Sequence, residues 1–342
     1  MGLIDLVEQG RVPDALTRFG IRRLLKQRLQ KEKKRYQSPN TLSQFIDQMV
    51  SSPLAINTFD ANAQHYEVPT EFYDQVLGDH KKYSCCYFEP NVHNLSTAEE
   101  SMLALSCERA EVEDGMEILE LGCGWGSLTL WLGRNFPNAK ITAVSNSSTQ
   151  KAYIDQAAAD RNITNLNVIT CDMNDFVADQ QYDRVLSIEM FEHMRNYKIL
   201  FERISSWLKP TGKLWFHIFV HRTMPYLFQD EGKADWMARH FFTGGLMPSW
   251  DLPLQIPSPL KLENRWPVKG THYAKTSRAW LNLIDANEQS VRNVFTSSDD
   301  PTSTTVLFNR WRMFFMACEE LFAYNNGREW YVGHYLFSNM EP

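Results

Sequence analysis

The sequence predicts a doubly wound α/β domain, a mainly parallel sheet with helices on both faces, carrying an N-terminal helical cap and an aromatic-rich insertion. Three observations predict it. From about Glu117 onward, short apolar runs alternate with helical segments, the rhythm of successive βαβ units. A glycine-rich turn joins the first of these runs to the helix after it, where an open α/β sheet meets its ligand. The 342 residues, 43% hydrophobic and 22% charged, suffice for one such core with additions.

The elements follow in chain order. Between Asp14 and Gln30, Leu16, Ile21, Leu24, Leu25 and Leu29 recur at roughly helical spacing, interleaved with Arg18, Arg22, Arg23, Lys26 and Arg28. This segment is expected to be a basic amphipathic helix. The preferred reading is a helix packed on the main domain with a solvated basic face; docking on an anionic membrane surface is the second. Lys31 to Asn40 reads as a solvated linker and Ser51-Ser52-Pro53 as a boundary, giving a cap over residues 1–60 and a main domain over 61–342. Strands are expected at 118–121, 140–145, 167–170, 184–188 and 213–219, with helices from about Gly126 to Asn135 and after Ser148. Beyond Val220 the rhythm stops. The loop-rich, aromatic stretch 221–266 reads as an insertion that closes a substrate pocket.

Composition excludes several classes. A net charge of −6 argues against a nucleic-acid binder. Six scattered cysteines without a Cys-x-x-Cys pair or zinc spacing suggest free thiols in a cytoplasmic protein and no metal. No apolar run is long enough to span a bilayer, and the opening MGLIDLVEQG has no signal-peptide core.

The strongest local signal is Glu120-Leu121-Gly122-Cys123-Gly124-Trp125-Gly126. Glycines let the backbone turn sharply and let a ligand approach closer than a Cβ allows. The dinucleotide fingerprint G-x-G-x-x-G fails, because Ser127 stands where its last glycine belongs. G-x-G-x-G after an acidic residue suits a cofactor without a pyrophosphate and with an amino group to hold. Asn146 and Gln150, after the second strand, are placed to hydrogen-bond ribose hydroxyls. Asp172 and Met173, after the third, are placed to accept from an adenine amino group and to pack on its ring.

With these residues in view, the chain resembles the cyclopropane-fatty-acid-synthase-like methyltransferases, and within them the coclaurine N-methyltransferase group. The resemblance runs from roughly Pro13 to the C-terminus. It rests on His65-Tyr66-Glu67-Val68-Pro69-Thr70-Glu71-Phe72-Tyr73, Tyr83-Ser84-Cys85-Cys86-Tyr87-Phe88, the glycine loop and Ser187-Ile188-Glu189-Met190-Phe191-Glu192-His193. It continues through Trp236–Arg239, Gly270–Thr276 and Asn309–Phe315. It implies a class I (Rossmann-like) methyltransferase fold with S-adenosyl-L-methionine as cofactor, and Tyr83-Ser84 folded over the methionine end of that cofactor. It further implies catalytic groups after the fourth strand. Cyclopropane synthases usually carry glycine where this chain has Glu189, which turns the expected substrate from a lipid toward a small-molecule amine. Cys85, Glu192, His217 and Tyr273 match the synthases' bicarbonate-binding positions, while Phe219 stands where they usually have isoleucine.

Glu189, Glu192 and His193 are spaced i, i+3, i+4, so on a helix all three point the same way. Titratable groups that close shift one another's pKa values. An amine arrives mostly as ammonium and must lose a proton before it attacks. Glu192 and His193 are assigned as the acid–base pair and Glu189 as the group that orients the amine. Tyr66, His217, Phe241, Phe242 and Tyr273 are expected on the substrate side, with Tyr83 and Trp215 as further aromatics around the cation. The expected activity is N-methylation of a benzylisoquinoline- or phenylethylamine-like amine. The alternative is a synthase modifying the acyl chains of unsaturated phospholipid. A homodimer is compatible with both.

Overall fold

The computed structural model describes residues 2–56, 68–230, 232, 235–298 and 300–340. Its main sheet is built from β1 (Glu117–Leu121), β2 (Lys140–Ser145), β3 (Leu166–Thr170), β4 (Tyr182–Ile188) and β5 (Leu208–His221). A two-stranded ribbon of β6 (Tyr226–Leu227) and β7 (Leu246–Met247) follows, then β8 (Leu260–Val268) and β9 (Trp330–Asn339). The order across the sheet is β3-β2-β1-β4-β5-β9-β8. The first five strands pair in parallel, and β9 runs antiparallel to both β5 and β8.

Both faces of a parallel sheet are covered by its crossover helices, so its central strands read as continuous apolar runs. Ile118, Leu119 and Leu121 of β1 are fully buried, as are Val185 of β4 and Leu214 and Phe216 of β5. The chain leaves β1 for β2 on one side and returns to β4 on the other, so the carboxyl ends of β1 and β4 flank the switch point where such sheets bind ligands.

Two strands of the main sheet, and the β6–β7 ribbon beside it, escaped the sequence reading. β8 occupies the end of the stretch expected to be a loop-rich insertion, and β9 lies far downstream. β8 is an edge strand, with charged side chains and Pro267 on a ladder that has one partner. Those are the features by which sheets blunt their edges.

The N-terminal helix differs from expectation in three ways. It spans Asp14–Arg35, so Lys31–Arg35 is helix rather than linker. Those last turns are fixed from outside: Glu32 is buried and pairs with Arg28 and Arg35, and the Tyr36 hydroxyl donates to the Pro225 carbonyl at 2.6 Å. Of the expected apolar stripe, Ile21, Leu25 and Leu29 pack on the core, whereas Leu16 and Leu24 are exposed. Finally, part of the basic face is engaged in ion pairs. Arg18 donates to Glu319 and Glu320 at 2.9 Å each, and Arg22 to Glu320 at 2.7 Å, on the Thr304–Ala323 helix. Among the described residues no helix is long and apolar enough to cross a membrane.

Candidate active site

A cavity of about 240 Å³ opens at the carboxyl edge of β1, β2, β3 and β4. Its sheet end is polar, lined by Glu120, Gly122, Gly124, Asn146, Gln150 and Asp172 together with Met173. Tyr83 and Ser84 also line the cavity.

The three loop glycines do different work. All have positive φ, at +76°, +54° and +76° for Gly122, Gly124 and Gly126, a region in which a side chain costs about 1–2 kcal/mol. A Cβ on Gly122 would lie 2.7 Å from Cγ of Met190, and one on Gly126 would lie 2.6 Å from Cγ1 of Ile154. These two glycines therefore serve packing as well as the turn. A Cβ on Gly124 meets no protein atom within 4 Å and points into open space beside the cavity. Of the three, Gly124 is thus the one that leaves room for a ligand to approach the backbone.

Other polar groups here suit a nucleoside ligand. Gln150 is buried; its Oε1 accepts from Ser145 Oγ at 2.7 Å, and its Nε2 has no protein partner. An orphaned buried donor beside a cavity fits a ligand acceptor. Asp172 forms a turn by accepting from Asn174 N–H at 2.8 Å through Oδ1. Glu120 receives the Thr129 hydroxyl, and burial pushes its carboxyl up to about 8. The donor and acceptor set fits S-adenosylmethionine, with Glu120 and Gly124 at the glycine loop and Gln150 and Asp172 at the next two strand ends.

Beyond Glu189 the cavity becomes apolar. Phe219, Phe228, Phe242, Trp280, Phe314 and Phe322 form most of this chamber, and Tyr273 stacks on Phe322 at 4.2 Å.

Glu189 stands at the border. The chain leaves β4 at Ile188 and turns through a left-handed residue, Glu189 itself, with φ of +50°. A non-glycine residue there is strained, and such strain persists where the surroundings enforce it. Here they do: Glu189 N–H donates to the His217 carbonyl at 2.8 Å. The carboxylate Oε1 accepts from Cys85 N–H at 3.0 Å and lies 3.1 Å from His217 Nε2, and Oε2 accepts from the Tyr273 hydroxyl at 2.6 Å. Burial raises its pKa, while the Tyr273 and Cys85 hydrogen bonds and the Lys82 charge oppose that rise. These three partners stand at three of the positions that the resemblance matches with bicarbonate ligands, and in this chain they hold a side chain.

The left-handed turn corrects the expectation of one helical face for Glu189, Glu192 and His193. Only Phe191–His193 is helical, a single 3₁₀ turn. Glu189 and His193 both line the cavity, but Glu192 does not. Glu192 is fully buried, with Oε1 accepting from Phe219 N–H at 2.7 Å and Oε2 without a partner. Burial and the neighbouring Glu189 charge push its carboxyl well above the usual range. His193 packs on Phe242 with ring centroids 4.6 Å apart.

The remaining expected residues divide. Phe242 and Tyr273 line the cavity. Phe241 does not; it is buried and stacks on Phe314 at 4.2 Å. His217 lies behind Glu189, fully buried, and touches the carboxylate rather than the cavity. Trp215 alternates with Phe216 to the opposite side of β5 and joins the core around Leu103 and Leu186. Tyr66 lies outside the described residues. The sequence reading gave no role to Lys82, Phe228, Trp280, Phe314 or Phe322, which all line the cavity. Phe314 falls in the Asn309–Phe315 phrase that carries the resemblance, and Phe228 in the 221–266 stretch expected to close a substrate pocket.

Comparison with known proteins decides the family. A family model described as mycolic acid cyclopropane synthetase matches residues 55–330. The chain belongs to that family. The (S)-coclaurine N-methyltransferase of Thalictrum flavum subsp. glaucum is 34% identical, over 98% of this chain and 94% of its own length. The (S)-coclaurine N-methyltransferase of Papaver somniferum is 32% identical, over 98% and 97%. A crystal structure of coclaurine N-methyltransferase bound to N-methylheliamine and S-adenosylhomocysteine superposes with a TM-score of 0.93 at 34% identity, covering 98% of this chain and 99% of that one. With this membership and this glycine loop, the chain is an S-adenosylmethionine-dependent methyltransferase of the α/β class.

Among the described residues no group of His, Cys, Asp and Glu side chains is arranged to hold a metal ion.

Proposed function

We propose that this methyltransferase acts on the nitrogen of a small-molecule amine of benzylisoquinoline or phenylethylamine type. The observation that carries the reading is the carboxylate of Glu189, buried at the border between the polar end and the aromatic chamber and held by three hydrogen-bond partners. The activities of the relatives, N-methyltransferases of coclaurine, support the same substrate class.

The residues suit that chemistry. An alkylammonium has a pKa near the ~10.4 of a lysine side chain, so at neutral pH it is mostly protonated and cannot attack. An anionic carboxylate attracts it, and aromatic faces such as Phe242 and Phe322 favour a cation over their rings. Bound S-adenosylmethionine supplies a methyl group already activated on a sulfonium sulfur. Holding the nitrogen in line with that group contributes roughly 7–11 kcal/mol. The ammonium proton must go to a group lining the cavity. Glu189, its pKa raised by burial, and His193 are the two acid–base groups on the border, so they share the proton work. Glu192 has the character of the protonated member of a carboxyl pair whose affinities are pushed apart. Its part is to brace the turn through Phe219 N–H.

The test is formation of S-adenosylhomocysteine by purified protein. Benzylisoquinoline and phenylethylamine amines are offered in one arm and unsaturated phospholipid vesicles in the other. Turnover with amines alone is expected. Turnover with vesicles alone would overturn the reading.

A further inference from the structure

A line of three hydrogen bonds runs along one face of the sheet from Arg109 to Glu189. Arg109, the last residue of the Leu95–Arg109 helix, meets His334 Nδ1 through Nη1 at 2.9 Å. His334 Nε2 lies 3.1 Å from His217 Nδ1, and His217 Nε2 lies 3.1 Å from Glu189 Oε1. The two histidines are register partners on β5 and β9, and both are fully buried.

The direction of this line follows from Arg109 alone. A guanidinium has five N–H donors, no acceptor, and keeps its proton in proteins. His334 Nδ1 must therefore accept. A neutral imidazole with an accepting Nδ1 carries its proton on Nε2, so His334 Nε2–H donates to His217 Nδ1. The same step repeats, and His217 Nε2–H donates to Glu189. Burial, with the Lys82 and Arg109 charges, holds both imidazoles in the neutral form this requires. The opposite direction, with a protonated Glu189 donating into His217, would bring an N–H of His334 against an N–H of Arg109.

We propose that Arg109 is a positioning residue: through His334 and His217 it fixes both tautomers so that Glu189 always faces an N–H, which favours the carboxylate and bars a proton from leaving through His217. The proton taken by Glu189 then returns through the cavity. This rests on the proposed role of Glu189 as a proton acceptor. The other groups facing Glu189 are Lys82, Cys85, Cys86, Glu192, Tyr273 and Cys318. Arg109 itself stacks over Trp266 at 5.3 Å and is faced by Tyr87 and Glu108.

The test reads tautomers directly. In ¹⁵N-histidine-labelled native protein, long-range ¹H–¹⁵N correlations, assigned with His217→Gln and His334→Gln, are expected to show Nε2–H at both histidines. Nδ1–H at either one overturns the proposal, whatever the acceptor substrate proves to be. Turnover supplies the second readout. Arg109→Met should lower kcat about tenfold and move the acid limb of the rate profile to higher pH, with KM for S-adenosylmethionine unchanged. Arg109→Lys, whose ammonium also only donates, should restore the native profile in part. An Arg109→Met enzyme with the native pH profile would equally overturn it. Failure of the amine assay with both Nε2–H tautomers present would instead strike the substrate reading and leave the tautomers standing.

Discussion

The Tyr273 hydroxyl donates to Glu189 Oε2 at 2.6 Å and so ties the Gly270–Ala286 helix to the end of β4. This is the shortest of the three bonds on that carboxylate. A hydrogen bond to a charged group is worth about 1.5–3 kcal/mol. Tyr273→Phe should therefore cut kcat/KM at neutral pH roughly ten- to hundredfold. The sign of the pH effect follows from the bond. It lowers the Glu189 pKa, its loss raises it, and a base works above its pKa. Activity of the variant should recover as pH rises, which a pH–rate series checks.

The two glutamates should respond differently to the same change. Glu189→Gln removes the acid–base carboxylate on the cavity border and is expected to lower kcat by about 10²-fold or more. Glu192→Gln replaces a carboxyl already pushed toward its protonated form and keeps an oxygen for Phe219 N–H. A much smaller loss is expected there. Steady-state rates of both variants beside native protein decide the point; equal losses would assign Glu192 a direct part in the chemistry.

Substitutions in the glycine loop should separate affinity from stability. Gly124→Ala places a methyl in open space beside the cavity, and S-adenosylhomocysteine affinity by calorimetry should fall at least about tenfold, on the order of 1.4 kcal/mol. Gly122→Ala forces a methyl against Met190. Its main effect should be a lower melting temperature, from overpacking of about 1–3 kcal/mol.

Acid should loosen the N-terminal helices first. Burial raises the Glu320 pKa, but hydrogen bonds from Arg22 and Arg18 outweigh it and hold the carboxyl below its usual range. A depressed carboxyl contributes stability above its unfolded pKa, near ~4.3, and that contribution is lost as pH falls through the folded value. The pair is partly solvated, so the amount is at most about 1 kcal/mol. Hydrogen exchange in Asp14–Arg35 should accelerate below that window, and Glu320→Gln should bring the acceleration to neutral pH.

The parts that could be read in advance are those in which neighbours in sequence are neighbours in function. The strands β1 to β5 announce themselves as apolar runs because both their faces are buried. The glycine loop and the Glu189–His193 stretch lie within a few residues of strand ends, where a doubly wound sheet puts its ligands. The left-handed turn at Glu189 carried no such mark, because glutamate has no preference for that conformation; packing imposes it. The aromatic chamber draws Trp280, Phe314 and Phe322 from helices far downstream, where nothing in their spacing distinguishes a cavity wall from a core. His334 is 117 residues from His217 and 225 from Arg109. Only the antiparallel return of β9 beside β5 makes them neighbours.

The grip of Cys85, His217 and Tyr273 on Glu189 has a consequence for supply. A dissolved anion occupies a site only in proportion to its concentration, whereas a tethered group is present at a fixed, high local concentration set by its own backbone. Here the anion is encoded in the chain and travels with it. Turnover should proceed at full rate in degassed, carbonate-free buffer, indifferent to how much dissolved carbon dioxide surrounds the enzyme.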